Sequence, residues 1–229
     1  MGLWEIGRYY TGSCSRVRVN KKGGPVFSSL PRWLILLLLL LAVLAGREWL
    51  QRPVVQPYGL RLAQLPKQQK LDSAASRQLG EFSLQPKARF DIEARVLSAE
   101  RYRMGISADL APLDLALGWG IMSDQAIVDQ LTISQGARWY ILRWGQQAPA
   151  PEREIMRSSG NMHIIPADAN IRKQAFALRA GEFVRLRGYL VDAQGPGGFR
   201  WGTSLSRDDT GDGACELFLV ESVEDVIVE

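Results

Sequence analysis

The densest set of chemically capable side chains in this sequence is the run Arg207-Asp-Asp-Thr-Gly-Asp-Gly-Ala-Cys-Glu216. Asp208, Thr210 and Asp212, followed by Gly213, stand at alternate positions. That spacing lets oxygen side chains converge on a hard cation while glycine permits a sharp turn. Glu216 is the ninth position of such a loop. The twelfth, where a calcium loop uses a bidentate glutamate, is Leu219. The competing reading is a hairpin loop in which Asp212-Gly213 adopts positive φ and Asp208 or Asp209 caps backbone amides. Calcium is therefore the one cofactor with a candidate donor set here, and a calcium-stabilised ligand domain is one expected function.

His163 is the only histidine. With Cys215, or with Ser204 or Ser206 and an aspartate, it makes the only hydrolase constellation the composition allows. No G-x-S-x-G elbow accompanies it, and a lone histidine beside the apolar pair Ile164-Ile165 also suits a hydrogen-bonded structural role. Cys215 precedes the apolar run Leu217–Val220, which favours burial over reactivity. Trp119, Trp139, Trp144 and Trp201 supply aromatic surface. Core positions are expected for most, Trp139 above all. Trp201, beside Arg200 and close in sequence to Arg207, is expected nearest a ligand or interface groove.

These residues must be held by elements that alternate strand and short helix. Phe90–Val96 alternates apolar and charged residues, as a half-buried strand does. Ser123 is placed to cap a helix through Leu131, and Ala137–Trp144 is aromatic and β-branched enough for a strand. Residues 145–160 read as an exposed loop. Asp168 caps a helix through Ile171, Ala175 and Leu178 that ends at Gly181. Glu182–Val191 is a strong strand with a bend at Gly188, Gly195–Gly198 is a turn, and Phe199–Ser204 and Cys215–Val220 close the set. The pattern predicts an α+β fold: one N-terminal transmembrane helix and a small antiparallel, OB-like β-barrel with short helices.

The transmembrane expectation rests on Trp33–Gly46, an uncharged leucine-rich run behind a basic segment. Arg32, Arg47, Glu48, Trp33 and Trp49 would serve as interfacial flanks. Residues 1–30 are then a basic cytoplasmic arm, 31–50 the anchor, 51–80 a Pro/Gln-rich stalk with a short helix, and 81–229 an exported domain. A signal peptide cleaved after Ala45 is the alternative, and Val26 is an alternative start. The chain has 28 Lys+Arg, 24 Asp+Glu and a net charge of +4. Residues 1–32 alone carry six cations and one acid, so the remainder is near −1. Nucleic acid is not an expected partner. Cys14 and Cys215 fall on opposite sides of the bilayer in this scheme and cannot pair.

The phrases Asn161-Met-His-Ile-Ile-Pro-Ala167, Gly181 through Val191, and Trp201 through Glu216 together resemble a group of uncharacterised bacterial proteins with a short membrane anchor and one exported domain. The resemblance lies mainly in residues 158–220. It implies a single-pass inner-membrane protein whose domain is periplasmic, and brings no activity or site residues. The function expected overall is a binding or assembly module with the bilayer and an envelope protein as partners. A hydrolase using His163 is the alternative.

Overall fold

A computed structural model describes residues 31–50, 52–206 and 216–227. The chain divides into two units, Met1–Arg47 and Glu48–Glu229. Its elements in order are α1 (Arg32–Leu50), β1 (Lys67–Lys70), β2 (Arg77–Leu79), β3 (Phe82–Arg101), α2 (Ile106–Leu110), β4 (Leu113–Gly118), α3 (Gln125–Val128), β5 (Thr132–Gly136), β6 (Trp139–Arg143), α4 (Glu152–Arg157), β7 (Ser159–Pro166), α5 (Ala169–Ala177), β8 (Phe183–Gln194), β9 (Arg200–Trp201) and β10 (Glu216–Asp225).

Among the described residues no helix is long and apolar enough to cross a membrane. The leucine-rich run does form α1, but Arg47 and Glu48 lie within the same helix. The uncharged stretch that remains rises about 21 Å at 1.5 Å per residue, against roughly 30 Å of hydrocarbon. The expected transmembrane helix, the inner-membrane location and the periplasmic placement are corrected by this finding.

The expected small antiparallel barrel is corrected as well. Among the described residues there are ten strands, eight of them in one mixed sheet, with β5 and β6 forming a separate antiparallel pair. Within the large sheet β7 and β10 run parallel, while β3–β4, β4–β7, β10–β8 and β3–β8 are antiparallel. Because β3 pairs with both β4 and β8, the strands β3, β4, β7, β10 and β8 close into a ring. Twenty residues of β3 make this possible. Its first part pairs with β8 and its last with β4, and register shifts at Pro86/Ala88 and Val96/Ser98 bend it between the two. β1 and β2 extend β3 at one margin.

The ring encloses Phe90, Ile92, Leu113, Leu115, Leu117, Met162, Ile164, Leu186, Leu190 and Phe218, with α5 contributing Ile171 and Ala175. Phe90 and Phe218 meet edge to face at 5.1 Å. Asp168 caps α5 as the sequence predicts, accepting from the amides of Asn170 and Ile171. A second apolar layer lies outside the ring. Ile133, Tyr140 and Leu142 of the β5–β6 hairpin pack there on Leu97, Ala116, Met122 and Ile155.

Other elements differ from expectation. Ser123 ends a 3-10 turn, and Asp124 caps α3 in its place. The Ser123 hydroxyl instead accepts from the amides of Arg61 and Leu62. That pairing belongs to a strap: Val54 N donates to Ala180 O, Gln56 Nε2 to Gly181 O, and Gly59 N to Asp124 Oδ1. The segment expected as a stalk is thus fastened to the domain, with Leu62 buried. The helix expected within 71–80 is absent, because Arg77–Leu79 is strand β2. Residues 145–160 include helix α4.

Candidate functional site

Strand β4 reads Leu-Asp-Leu-Ala-Leu-Gly, and period-2 geometry sends Leu113, Leu115 and Leu117 into the ring. Asp114 and Ala116 therefore face the opposite way. In β7 the register places His163 beside Asp114 and Asn161 beside Ala116, on that same outer face. The β5–β6 hairpin covers Asp114, Ala116 and Asn161, and Trp201 of β9 covers His163. Asp114 is 0% and His163 3% exposed.

The hairpin tip completes the cluster. Gly136 pairs with Trp139, so the loop is the two residues Ala137 and Arg138, at φ +50° and +70°. Such a turn favours Asn-Gly, since a side chain in the left-handed region costs about 1 kcal/mol per residue. Contacts made by the tip offset that cost. Arg138 Nη1 donates to Asp114 Oδ1 at 2.6 Å and to Ala111 O at 2.9 Å. Its guanidinium lies 3.8 Å from the Tyr102 ring centroid and 5.3 Å from that of Trp201. Arg138 N donates to the Tyr102 hydroxyl, whose pKa is raised by burial. Asn161 Nδ2 donates to Arg138 O, and Gln135 Nε2 to Asn161 Oδ1.

His163 Nδ1 lies 2.9 Å from Asp114 Oδ1, and the imidazole packs on Trp201 with centroids 4.6 Å apart. The sequence-selected His163 and Trp201 therefore meet, but within a buried network. Asp114, the residue that joins them to Arg138, was missed. The available signal was a lone carboxylate inside the alternating apolar run 113–117. An aspartate holding a histidine is the orienting half of a hydrolytic triad. With Trp201 against it, however, this ring is closed to substrate in the conformation described.

Of the remaining candidates Ser204 and Glu216 are described, and the bond from Leu217 N to Thr203 Oγ1 brings their segments together. Ser204 Oγ donates to Ser206 O within one turn. Glu216 opens β10, buried and in register with Met162. Arg207, Asp208, Thr210, Asp212 and Cys215 lie outside the described residues, and with them the calcium loop and the Cys215 nucleophile. Among the described residues no group of three or more His, Cys, Asp or Glu is placed to hold a metal. The tryptophan expectation is reversed at one position: Trp119 is 2% exposed, but Trp139 is 46% exposed on the outer face of the hairpin.

A second feature lies where β1, β3 and β8 adjoin. A groove of about 360 Å³ is lined by Lys67, Arg89, Asp91, Arg187, Tyr189 and Glu221, among others. Its two carboxylates are already engaged. Asp91 accepts from Arg185 Nε at 2.9 Å and Nη2 at 2.7 Å, and Glu221 pairs with Arg77. Arg187 is satisfied by Glu224. Among the described residues, no carboxylate lies within ion-pair distance of Lys67 or Arg89. Two guanidiniums attend the Tyr189 ring, Arg77 at 4.3 Å and Arg89 at 5.5 Å from its centroid.

The hydrogen bonds from Arg185 hold the Asp91 carboxyl below its usual pKa, against the opposing effect of partial burial. A carboxyl with a depressed folded pKa contributes stability above its unfolded pKa and loses it as pH falls through the folded one. Asp91→Asn is therefore expected to lower stability at pH 7 by about 1 kcal/mol or less, the pair being partly solvated. The gap from the wild type should close as pH drops below about 4. Urea midpoints at pH 7 and pH 3 check this; an equal gap at both would show that the charge is irrelevant.

Comparison with protein-family profiles, with characterised proteins and with solved structures gives no match for this chain.

Proposed function

We propose that this protein is a non-enzymatic binding module that holds an acidic protein segment in the groove between β1, β3 and β8. One observation carries the reading: among the described residues Lys67 and Arg89 make no direct ion pair, Lys67 acting on Asp91 only at longer range, in a groove whose two acids are already paired with Arg185 and Arg77. Cations without a direct ion pair in a concave site attract carboxylates from a partner. A nucleic acid fits less well. Single strands are gripped by stacking bases on aromatic faces, and the groove's Tyr189 is already stacked by Arg77 and Arg89.

The test is fluorescence anisotropy with a labelled deca-glutamate peptide and the full-length protein. Binding should weaken about tenfold in the Lys67→Glu/Arg89→Glu variant, as expected when two favourable contacts become repulsive. It should also weaken with added salt. Equal affinity in the variant would overturn the reading. So would a labelled oligo-deoxythymidine that binds more tightly than the peptide and is lost in the same variant.

A further inference from the structure

The groups surrounding the Arg138 guanidinium come from outside its own hairpin. Asp114 is on β4, Ser107 is in α2 and Ala111 O follows it, Tyr102 follows β3, and Trp201 is on β9. Together they form a receptor with a buried carboxylate, a carbonyl, a hydroxyl at 3.5 Å and two aromatic rings, the acceptors and stacking surfaces that a planar guanidinium uses. Arg138 fills it imperfectly. Only Asp114 Oδ1 is used, shared between Arg138 and His163, while Asp114 Oδ2 is buried without a hydrogen-bond partner. A free guanidinium engages both oxygens of a carboxylate in parallel. Arg138 is tethered by a turn that holds two side-chain-bearing residues at positive φ, and that tether limits how it can approach.

We infer that the Asp114 pocket is a guanidinium-binding site, occupied within the chain by Arg138 and able to take an arginine side chain of a partner protein when the hairpin tip withdraws. Release of the tip relieves the strained turn. The incoming arginine gains the unused carboxylate oxygen, so exchange proceeds without loss of the buried charge pair. This proposal is independent of the acidic-segment groove, which uses other residues and the opposite ligand charge.

The experiment is chemical rescue in the full chain. Arg138→Ala empties the pocket, and N-ethylguanidinium at millimolar concentration should raise its Tm, with saturation. Ethylammonium at the same concentration should not. The Asp114→Asn/Arg138→Ala double variant should lose at least tenfold in affinity for the probe. Equal rescue by both cations, or rescue that persists in the double variant, would overturn the site. A second arm uses wild-type protein and serves even where Arg138→Ala does not fold. N-acetyl-arginine methylamide should accelerate hydrogen exchange at the amides of β5 and β6, whereas the lysine analogue should not. Exchange unchanged up to a concentration that saturates the emptied variant, or up to 100 mM where that variant is unfolded, would overturn exchange in trans.

Discussion

Asp114→Ala is expected to cost about 3–5 kcal/mol, the range found when one partner of a buried ion pair is deleted. Arg138 would keep its charge, since a guanidinium does not deprotonate in proteins, and its side chain, only 19% exposed, would be left with the Ala111 carbonyl and distant Ser107 as hydrogen-bond partners. His163 would lose the hydrogen bond between its Nδ1 and Asp114 while staying stacked on Trp201. With a domain of this size, 1 kcal/mol shifts Tm by about 2–4 °C, so a fall on the order of 10 °C is expected. A double-mutant cycle with Arg138→Met separates the pair from the cavity, and its coupling term should exceed 1.5 kcal/mol. A loss below about 1 kcal/mol for Asp114→Ala would show that the guanidinium rehydrates freely and that the cluster is not a stabilising lock. The direction of failure is also specified: the β5–β6 amides should gain exchange before the ring strands do, because the hairpin is fastened at its tip.

What could be read from the sequence was local. Phe90–Val96, Glu182–Val191, the Asp168 cap and the Gly195–Gly198 turn depend on neighbours in the chain, and each lies where the pattern places it. Asp114 shows only as a lone carboxylate in an apolar run, and its role stays hidden because its partners are Arg138 and His163, 24 and 49 residues away. Ser123 carries the right hydroxyl for a helix cap, but amides 61 positions distant compete for it successfully. The Pro/Gln segment has no period, which describes a strap as well as it describes a linker; only its distant acceptors distinguish them. Arg95 reads as the exposed half of an alternating strand, and β3 does alternate around it. The strap and α3 cover that position, so it becomes 3% exposed, hydrogen-bonded to Gln125, with its pKa pushed down by burial. The leucine-rich run shows the same limit from another side. Composition announced a helix and the helix is there, but it is not long and apolar enough to cross a membrane.

Gly188→Ala should be the most damaging single methyl addition along the ring. A Cβ there would lie 1.9 Å from Leu219 O, 3.0 Å from its carbonyl carbon and 3.2 Å from Glu221 N. All three are backbone atoms of β10, so no side chain can rotate aside, and the β8–β10 seam must open where its register already shifts between Val220 and Ser222. Opening this seam breaks the closed ring and exposes the core around Phe218 and Leu190, so the cost should exceed about 4 kcal/mol, at the exceptional end for one substitution. Gly181→Ala makes an informative contrast. Its Cβ would come 1.8 Å from Val54 O, and its φ of +91° already disfavours alanine. By local geometry it is the worse clash of the two. Yet its opponent is the strap, which is held by a few hydrogen bonds at the margin of the domain and can lift away. Gly181→Ala is therefore expected to retain a cooperative unfolding transition, with faster hydrogen exchange at Val54, Gln56 and Leu62. Gly188→Ala should lose the transition or shift it by more than 10 °C. If the order were reversed, the strap would be the element on which the ring depends, and closure of β8 on β10 would not be what holds this fold together.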